Sequence, residues 1–150
     1  MPDIISTDHP LTRAQQIVLA ALLDTLVPAS DDGTMPSAAD VGFDAYLLAQ
    51  AEEFVPLLVS VLQRFEPSFV DLSLTDRGAR VREFSATDPP LFQALLTRVY
   101  DCYYQNDRVR VRIGVATGAP FPLGNQVAPG DLSLLDPVIE HSERHVYRKA

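Results

Sequence analysis

The chain has 150 residues, of which 47% are hydrophobic and 21% are charged, the balance of a soluble globular protein. At this length one domain can bury roughly 70% of the surface that its unfolded form exposes. The net charge of −8 repels phosphate backbones, so a nucleic-acid-binding function would need a segregated basic patch. Cys102 is the only cysteine, which excludes an intramolecular disulfide and a cysteine-based zinc site. No apolar run approaches the roughly 18 residues of a membrane span.

The first helix is predicted to begin at Thr12, after a flexible arm formed by residues 1–11. Thr12 and Gln15 have the spacing of a capping box, in which each side chain accepts a hydrogen bond from the other residue's backbone N–H. Pro28 ends the helix, because a proline biases the residue before it away from the helical region. The residues at helical spacing that form its apolar stripe are Ala14, Ile17, Val18, Ala21, Leu22 and Leu26.

A loop with the sequence PASDDGTMP leads to the second helix. Its residues Ser30, Asp31 and Asp32 do not match the spacing of a calcium-binding loop, so we expect a solvated turn. Ser37 is predicted to cap the second helix. The apolar face of this helix is expected to contain Val41, Ala45, Leu48 and Ala49, widened by Tyr46 and Leu47.

Three more helices are predicted in the middle of the chain. Pro56 fits the first turn of the third helix, which Pro67 ends or kinks. Ser73 or Thr75 caps the fourth helix, and Asp88 caps the fifth, which has a proline at its first position. The expected core residues are Leu58, Leu62 and Phe65 in the third, Leu74, Val81 and Phe84 in the fourth, and Phe92, Leu95, Leu96, Val99 and Tyr103 in the fifth.

The segment YYQNDRVRVRIG, residues 103–114, allows two interpretations. As a strand it would place its valines on one face and its arginines on the other. As a helix it would be capped by Asn106, stack Val109 on Ile113 and end at Gly114. No other segment alternates in a way that would pair with a strand, and an unpaired strand leaves its backbone groups unsatisfied, so the helix is favoured.

Residues 114–130 hold several glycines and prolines and are predicted to form an extended loop or arm. Asp136 and Pro137 then open a final helix that is expected to end near Tyr147. Together these elements predict an all-α fold, a compact single domain of five to six helices over residues 12–150, with the extended segment near its C-terminus.

Motifs that carry chemistry are missing from this sequence. It has no nucleophile elbow, no glycine-rich phosphate loop and no dinucleotide fingerprint, so we predict no catalytic residue and no cofactor bound by this chain. The carboxylate pairs Asp31–Asp32 and Glu52–Glu53 are adjacent in sequence and point to different faces, as expected of a solvated surface. His141 and His145 could face one metal from the final helix, but no third ligand is identifiable, so no metal site is predicted.

Several short motifs occur in a consistent order along the chain. A helix start LTRAQ is followed by the helix end DTLVP and by PSA at residues 36–38. A later helix with Phe92 and Leu95 leads to a tyrosine pair, a valine, an isoleucine and Gly114. Over residues 11–125 this order resembles the gluconate 2-dehydrogenase subunit 3 family, the small subunits of FAD-dependent sugar and polyol dehydrogenases. Arg108 stands where the family pattern has proline.

The resemblance implies a non-catalytic accessory subunit. Its partner would be a large FAD-dependent dehydrogenase of the glucose–methanol–choline type, which would hold the FAD, and a cytochrome subunit could accompany them. The chain would help the large subunit to fold, load FAD or assemble. We expect a cytoplasmic location, since no signal sequence or twin arginine is visible, or a periplasmic one if a signal was removed or the partner is exported. The candidate partner-contacting residues are Tyr104, Arg108, Arg110, Arg112, Phe121 and Pro122.

Two other functions stay open from the residues alone. One is a stand-alone helical protein with a metal site built on His141 and His145. The other is a nucleic-acid-binding module in which Tyr103 and Tyr104 stack on bases and the neighbouring arginines contact phosphates. The net charge of −8 opposes the second function, so no nucleic-acid partner is predicted.

Overall fold

The computed structural model describes residues 9–117 and 130–142. These residues contain seven α-helices and no strand, which confirms the all-α class. The prediction was five to six helices. The structure has seven because the short segments Asp107–Arg112 and Asp136–Ser142 both form helices. The helices are α1 (Arg13–Leu26), α2 (Phe43–Gln50), α3 (Val55–Leu62), α4 (Leu74–Thr87), α5 (Pro89–Gln105), α6 (Asp107–Arg112) and α7 (Asp136–Ser142). Short 3₁₀ segments lie at Ala38–Asp40, Glu52–Phe54, Pro67–Asp71 and Leu132–Leu135.

The chain divides into two compact units, Met1–Gly118 and Ala119–Ala150. Helices α1 to α6 belong to the first unit, where α1 contacts α3 and α4, and α5 contacts α2, α3, α4 and α6. Helix α5 is thus the central element of the first unit. Most of the arm predicted at residues 1–11 lies outside the described residues, but Leu11 is buried in the core.

The predicted helix starts are confirmed at α1, α4 and α5. The Thr12 hydroxyl accepts from the Gln15 backbone N–H at 3.3 Å, and the Gln15 side chain accepts from the Thr12 N–H at 2.8 Å. Ser73 accepts from the backbone N–H of Asp76 at 3.1 Å, which selects Ser73 over the alternative cap two residues later. Asp88 accepts from the N–H three residues ahead at 3.3 Å. Each cap satisfies a backbone donor that has no partner inside its helix.

The predicted start of the second helix is wrong. Ser37 begins only one 3₁₀ turn, and α2 starts at Phe43. Ser37 is buried, and its hydroxyl donates to the Asp40 carboxylate at 3.1 Å instead of capping a backbone N–H. Gly42 separates the two elements with φ of +77°, a left-handed conformation that interrupts a right-handed helix.

This later start changes the buried face of α2. Its buried side chains are Phe43, Tyr46 and Leu47. The predicted face is wrong at Ala45, Leu48 and Ala49, which are exposed, and correct at Val41, which lies ahead of the helix. Because consecutive helix residues turn by about 100°, facing Phe43 inward carries the side chains of residues 45, 48 and 49 toward solvent.

The core of the first unit is apolar and draws on all six helices. Three residues predicted to face the core from the first and fourth helices, Ala14, Ile17 and Leu74, are exposed. Ile17 lies roughly opposite the face of α1 that carries Leu19 and Leu22. Leu74 is the first residue of α4, so its side chain tilts past the start of the helix. The buried side chains include Val18, Leu19, Leu22, Leu23, Leu47, Leu58, Val61, Leu62, Phe65, Val81, Phe84, Leu95, Val99, Cys102, Tyr103 and Val109.

In the second unit, the final helix α7 begins at Asp136 as predicted, while its expected end near Tyr147 lies outside the described residues. Asp131 precedes it and accepts from the backbone N–H and the hydroxyl of Ser133, at 3.0 and 2.6 Å. These hydrogen bonds lower the pKa of Asp131.

Within residues 9–117 and 130–142, no single helix has both the length and the apolar character to cross a membrane. In the same described ranges, one pair, α2 with the segment Glu52–Leu62, reaches that length and composition together, but it is bent by 103°.

Candidate functional site

The segment 103–114 forms the end of α5, a tight turn and the short helix α6, as the helical interpretation predicts. Asn106 caps α6, because its side-chain oxygen accepts from the Arg108 backbone N–H at 3.0 Å. The Asn106 amide also donates to the Val41 carbonyl at 3.4 Å. Asn106 therefore links the α5–α6 turn to the residues that precede α2.

Helix α6 ends in a Schellman motif. The N–H of Val115 donates to the Arg110 carbonyl at 2.8 Å, and the N–H of Gly114 donates to the Val111 carbonyl at 3.2 Å. Gly114 adopts φ of +77°, as expected of the residue that follows a helix end. The predicted stop at Gly114 is confirmed.

Helix α6 is held to the rest of the unit by one apolar side chain. Val109 is fully buried, as predicted. Ile113, which was expected to stack inward on it, is 48% exposed, so that prediction is wrong. The helix spans only Asp107–Arg112, and Ile113 is the C-cap residue that follows it. Ile113 therefore lies beyond the part of the helix that Val109 fixes to the core.

The three candidate arginines do not form one basic face. Arg108 and Arg112 are exposed and lie four residues apart, on the same side of α6. The Arg110 side chain is 20% exposed and lies 3.9 Å from the Asp107 carboxylate. Of these three arginines, Arg108 and Arg112 are therefore the two that are exposed enough to contact a partner.

The tyrosines at the end of α5 divide into one buried ring and two exposed ones. Tyr103 is buried and its hydroxyl donates to the Pro36 carbonyl at 2.9 Å. Burial, with a smaller contribution from Tyr104, raises the pKa of Tyr103. Tyr104 is 53% exposed, and its ring lies 5.4 Å from that of Tyr103 and 6.0 Å from that of Tyr100. Tyr104 is thus both exposed and held in place by two neighbouring rings.

Of the nine large apolar side chains that are exposed in the described part of the first unit, five lie between residues 100 and 115. Two exposed tyrosines lie on α5, and three aliphatic side chains follow on α6 and its terminating turn. We call this set the tyrosine–valine surface; its members are Tyr100, Tyr104, Val111, Ile113 and Val115. The sequence interpretation included only Tyr104. The four-residue spacing of Tyr100 and Tyr104 was a signal for the second tyrosine, since such residues share a helix face.

Phe121 and Pro122 lie outside the described residues. The His141 and His145 side chains do too, so the geometry of that pair is not described. Among the described residues no group of three or more His, Cys, Asp or Glu could hold a metal ion.

The other candidate groups take part in core packing, a turn or an ion pair of the fold. Cys102 is buried in α5, as predicted, and burial raises its pKa to about 11. Asp32 accepts from the hydroxyls of Ser30 and Thr34, at 2.6 and 2.8 Å, which with the Thr34 N–H lower its pKa to about 2. These bonds fix a turn, as expected for residues 30–32. Glu53 pairs with Arg98 at 2.8 Å and so links the 3₁₀ segment Glu52–Phe54 to α5.

Comparison of the chain with known protein families, with curated proteins and with solved structures gives no match.

Proposed function

We propose that this chain is a non-catalytic small subunit that binds and stabilises a large FAD-dependent dehydrogenase of the glucose–methanol–choline type. The observation that carries the proposal is the tyrosine–valine surface, because exposed apolar side chains grouped in one region are typical of a protein-binding site. The ordered motifs that resemble the gluconate 2-dehydrogenase subunit 3 family supply the identity of the partner.

The composition of this region supports a protein partner. Tyrosine and arginine are enriched in protein interfaces, and Arg108 and Arg112 accompany Tyr100 and Tyr104 on adjoining helices. Tyr104 suits an anchor role, since its ring is ordered against two others and has little conformational freedom left to lose on binding. FAD, in this proposal, belongs to the large subunit, and the complex acts in the cytoplasm or, with an exported partner, in the periplasm.

Co-expression with a large flavoprotein of the glucose–methanol–choline type from the same genome tests the proposal. We expect the two chains to elute together, and we expect the large subunit to carry less FAD when it is expressed alone. A flavoprotein that elutes alone and is fully loaded with FAD and active without this chain would contradict the proposal.

A matched pair of variants tests the location of the interface. Val111→Asp places a charge on the tyrosine–valine surface, where the side chain is 60% exposed. Leu57→Asp places the same charge on α3, where the side chain is 47% exposed. We expect Val111→Asp to weaken the complex roughly 5- to 30-fold, as for central interface residues, and Leu57→Asp to leave it unchanged. Equal effects of the two variants would place the interface elsewhere.

A further inference from the structure

The first unit has an open pocket of about 330 Å³ between the end of α3, the segment Pro67–Asp71 and α4. Its walls include three buried phenylalanines. The Phe65 ring lies 4.8 Å from that of Phe69 and 5.6 Å from that of Phe84. The volume is at the lower end of the range of small-molecule sites, and the aromatic lining favours a planar apolar group. None of the lining residues belongs to the tyrosine–valine surface.

The charged residues that line this pocket are balanced in number: Arg64 and Arg80 against Glu66 and Glu83. Arg80 donates to Glu83 at 3.3 Å, and both side chains are more than 60% exposed. Such exposed pairs contribute only about 0–1 kcal/mol, so these groups can turn to a ligand at little cost. Arg64 donates to Asp88 at 3.1 Å through one of its nitrogens, which leaves further N–H groups of the guanidinium for a ligand.

We propose that this pocket binds a free aromatic amino acid. The ring would lie against the phenylalanine floor, the carboxylate would accept from Arg64 and Arg80, and the ammonium would donate to Glu66. A ligand with a single charge would meet as many like charges as opposite ones along these walls. A zwitterion instead satisfies both sets with charge-assisted hydrogen bonds. This site does not depend on the partner proposed above.

Tryptophan fluorescence gives a direct measurement, because the chain contains no tryptophan and all indole emission comes from the ligand. We expect a saturable change in the emission of L-tryptophan on titration with the protein. Indole-3-propionate lacks the ammonium and tryptamine lacks the carboxylate, and each should bind roughly two- to fivefold more weakly, as for one exposed charge pair. No saturable change, or equal binding of N-acetyl-tryptophanamide, which lacks both charges, would overturn the proposal.

Variants of exposed lining residues assign each charge to its partner. Arg80→Gln should weaken L-tryptophan and indole-3-propionate roughly two- to fivefold and leave tryptamine unchanged. Glu66→Gln should weaken L-tryptophan and tryptamine and leave indole-3-propionate unchanged. Arg82→Gln removes an exposed charge from α4 that does not line the pocket, and it should change nothing. Loss of this selectivity would overturn the assignment, and far-UV circular dichroism verifies that each variant is folded.

Discussion

Replacing Tyr103 by phenylalanine removes one hydroxyl from the core of the first unit. That hydroxyl donates to the Pro36 carbonyl at 2.9 Å, and both residues are buried. The bond contributes about 0.5–1.5 kcal/mol net, and a buried carbonyl left without a donor costs further free energy. We therefore expect Tyr103→Phe to lower the free energy of unfolding by about 1–2 kcal/mol. In a chain of 150 residues each 1 kcal/mol lowers Tm by roughly 2–4 °C.

The neighbouring tyrosine provides the control. Tyr104→Phe removes the same hydroxyl from a ring that is 53% exposed, and we expect a change of less than about 0.5 kcal/mol. Urea unfolding followed by far-UV circular dichroism measures both variants, and the slope with urea concentration should stay the same. If the two variants are equally stable, the buried hydrogen bond does not contribute as argued.

The pH dependence of the stability of the wild type and of Tyr103→Phe gives a second check. The pKa of Tyr103 is raised in the folded protein, so the unfolded chain loses this proton first as the pH rises. The stability that depends on this proton is complete below the unfolded pKa of about 10 and is lost as the pH rises above it. We therefore expect the difference in stability between the wild type and Tyr103→Phe to narrow above that pH. A difference that grows there would have the wrong sign.

Four further predictions concern single residues of the first unit, each checked by the same unfolding measurement. Gly42→Ala should destabilise by about 1 kcal/mol because of the positive φ of 77°, whereas Gly78→Ala, inside α4 with its nearest contact at 3.7 Å, should stabilise by about 0.5–1 kcal/mol. Burial raises the pKa of Cys102 to about 11, so wild-type stability should fall as the pH rises from about 9, and the Cys102→Ala variant should lose less over that window. Asp88→Ala removes the cap of α5 and should cost about 0.5–2 kcal/mol.

The sequence predicted the features that depend on local chemistry. The caps at Thr12, Ser73, Asp88 and Asn106 and the stop at Gly114 follow from side-chain and backbone hydrogen bonds within a few residues. Such bonds form in any surroundings that leave the helix end accessible, so sequence spacing is enough to identify them.

The errors arise where packing between distant segments decides. Periodicity indicates that Ile17 and Leu74 could be buried, but not which direction the neighbouring helices cover. At the second helix the serine-capping pattern competed with Gly42, and the left-handed conformation of Gly42 determined where α2 begins.

The candidate sites were predictable to different extents. Tyr104, Arg108 and Arg112 were identified as surface residues from their positions at the end of α5 and on the short helix α6. The pocket was not, since Phe65 and Phe84 are well separated in sequence and meet only once α4 packs beside the end of α3. Each phenylalanine was expected in the core, and the space beside the rings depends on the volume that their neighbours leave.

Two adjacent tyrosines are expected to act separately, one on stability and the other on the proposed partner binding. Tyr103 faces inward and holds the end of α5 to the residues before α2, while Tyr104 belongs to the proposed partner-contacting surface. If the proposed interface is correct, Tyr104→Ser should weaken the complex even when the variant is folded, although losing the ring contacts with Tyr100 and Tyr103 should cost about 0.5–1.5 kcal/mol of stability. Tyr103→Phe should lower the stability and, once the variant is folded, leave the affinity unchanged. A folded Tyr104→Ser variant that binds the partner as tightly as the wild type would show that this ring supports the fold instead of contacting a partner.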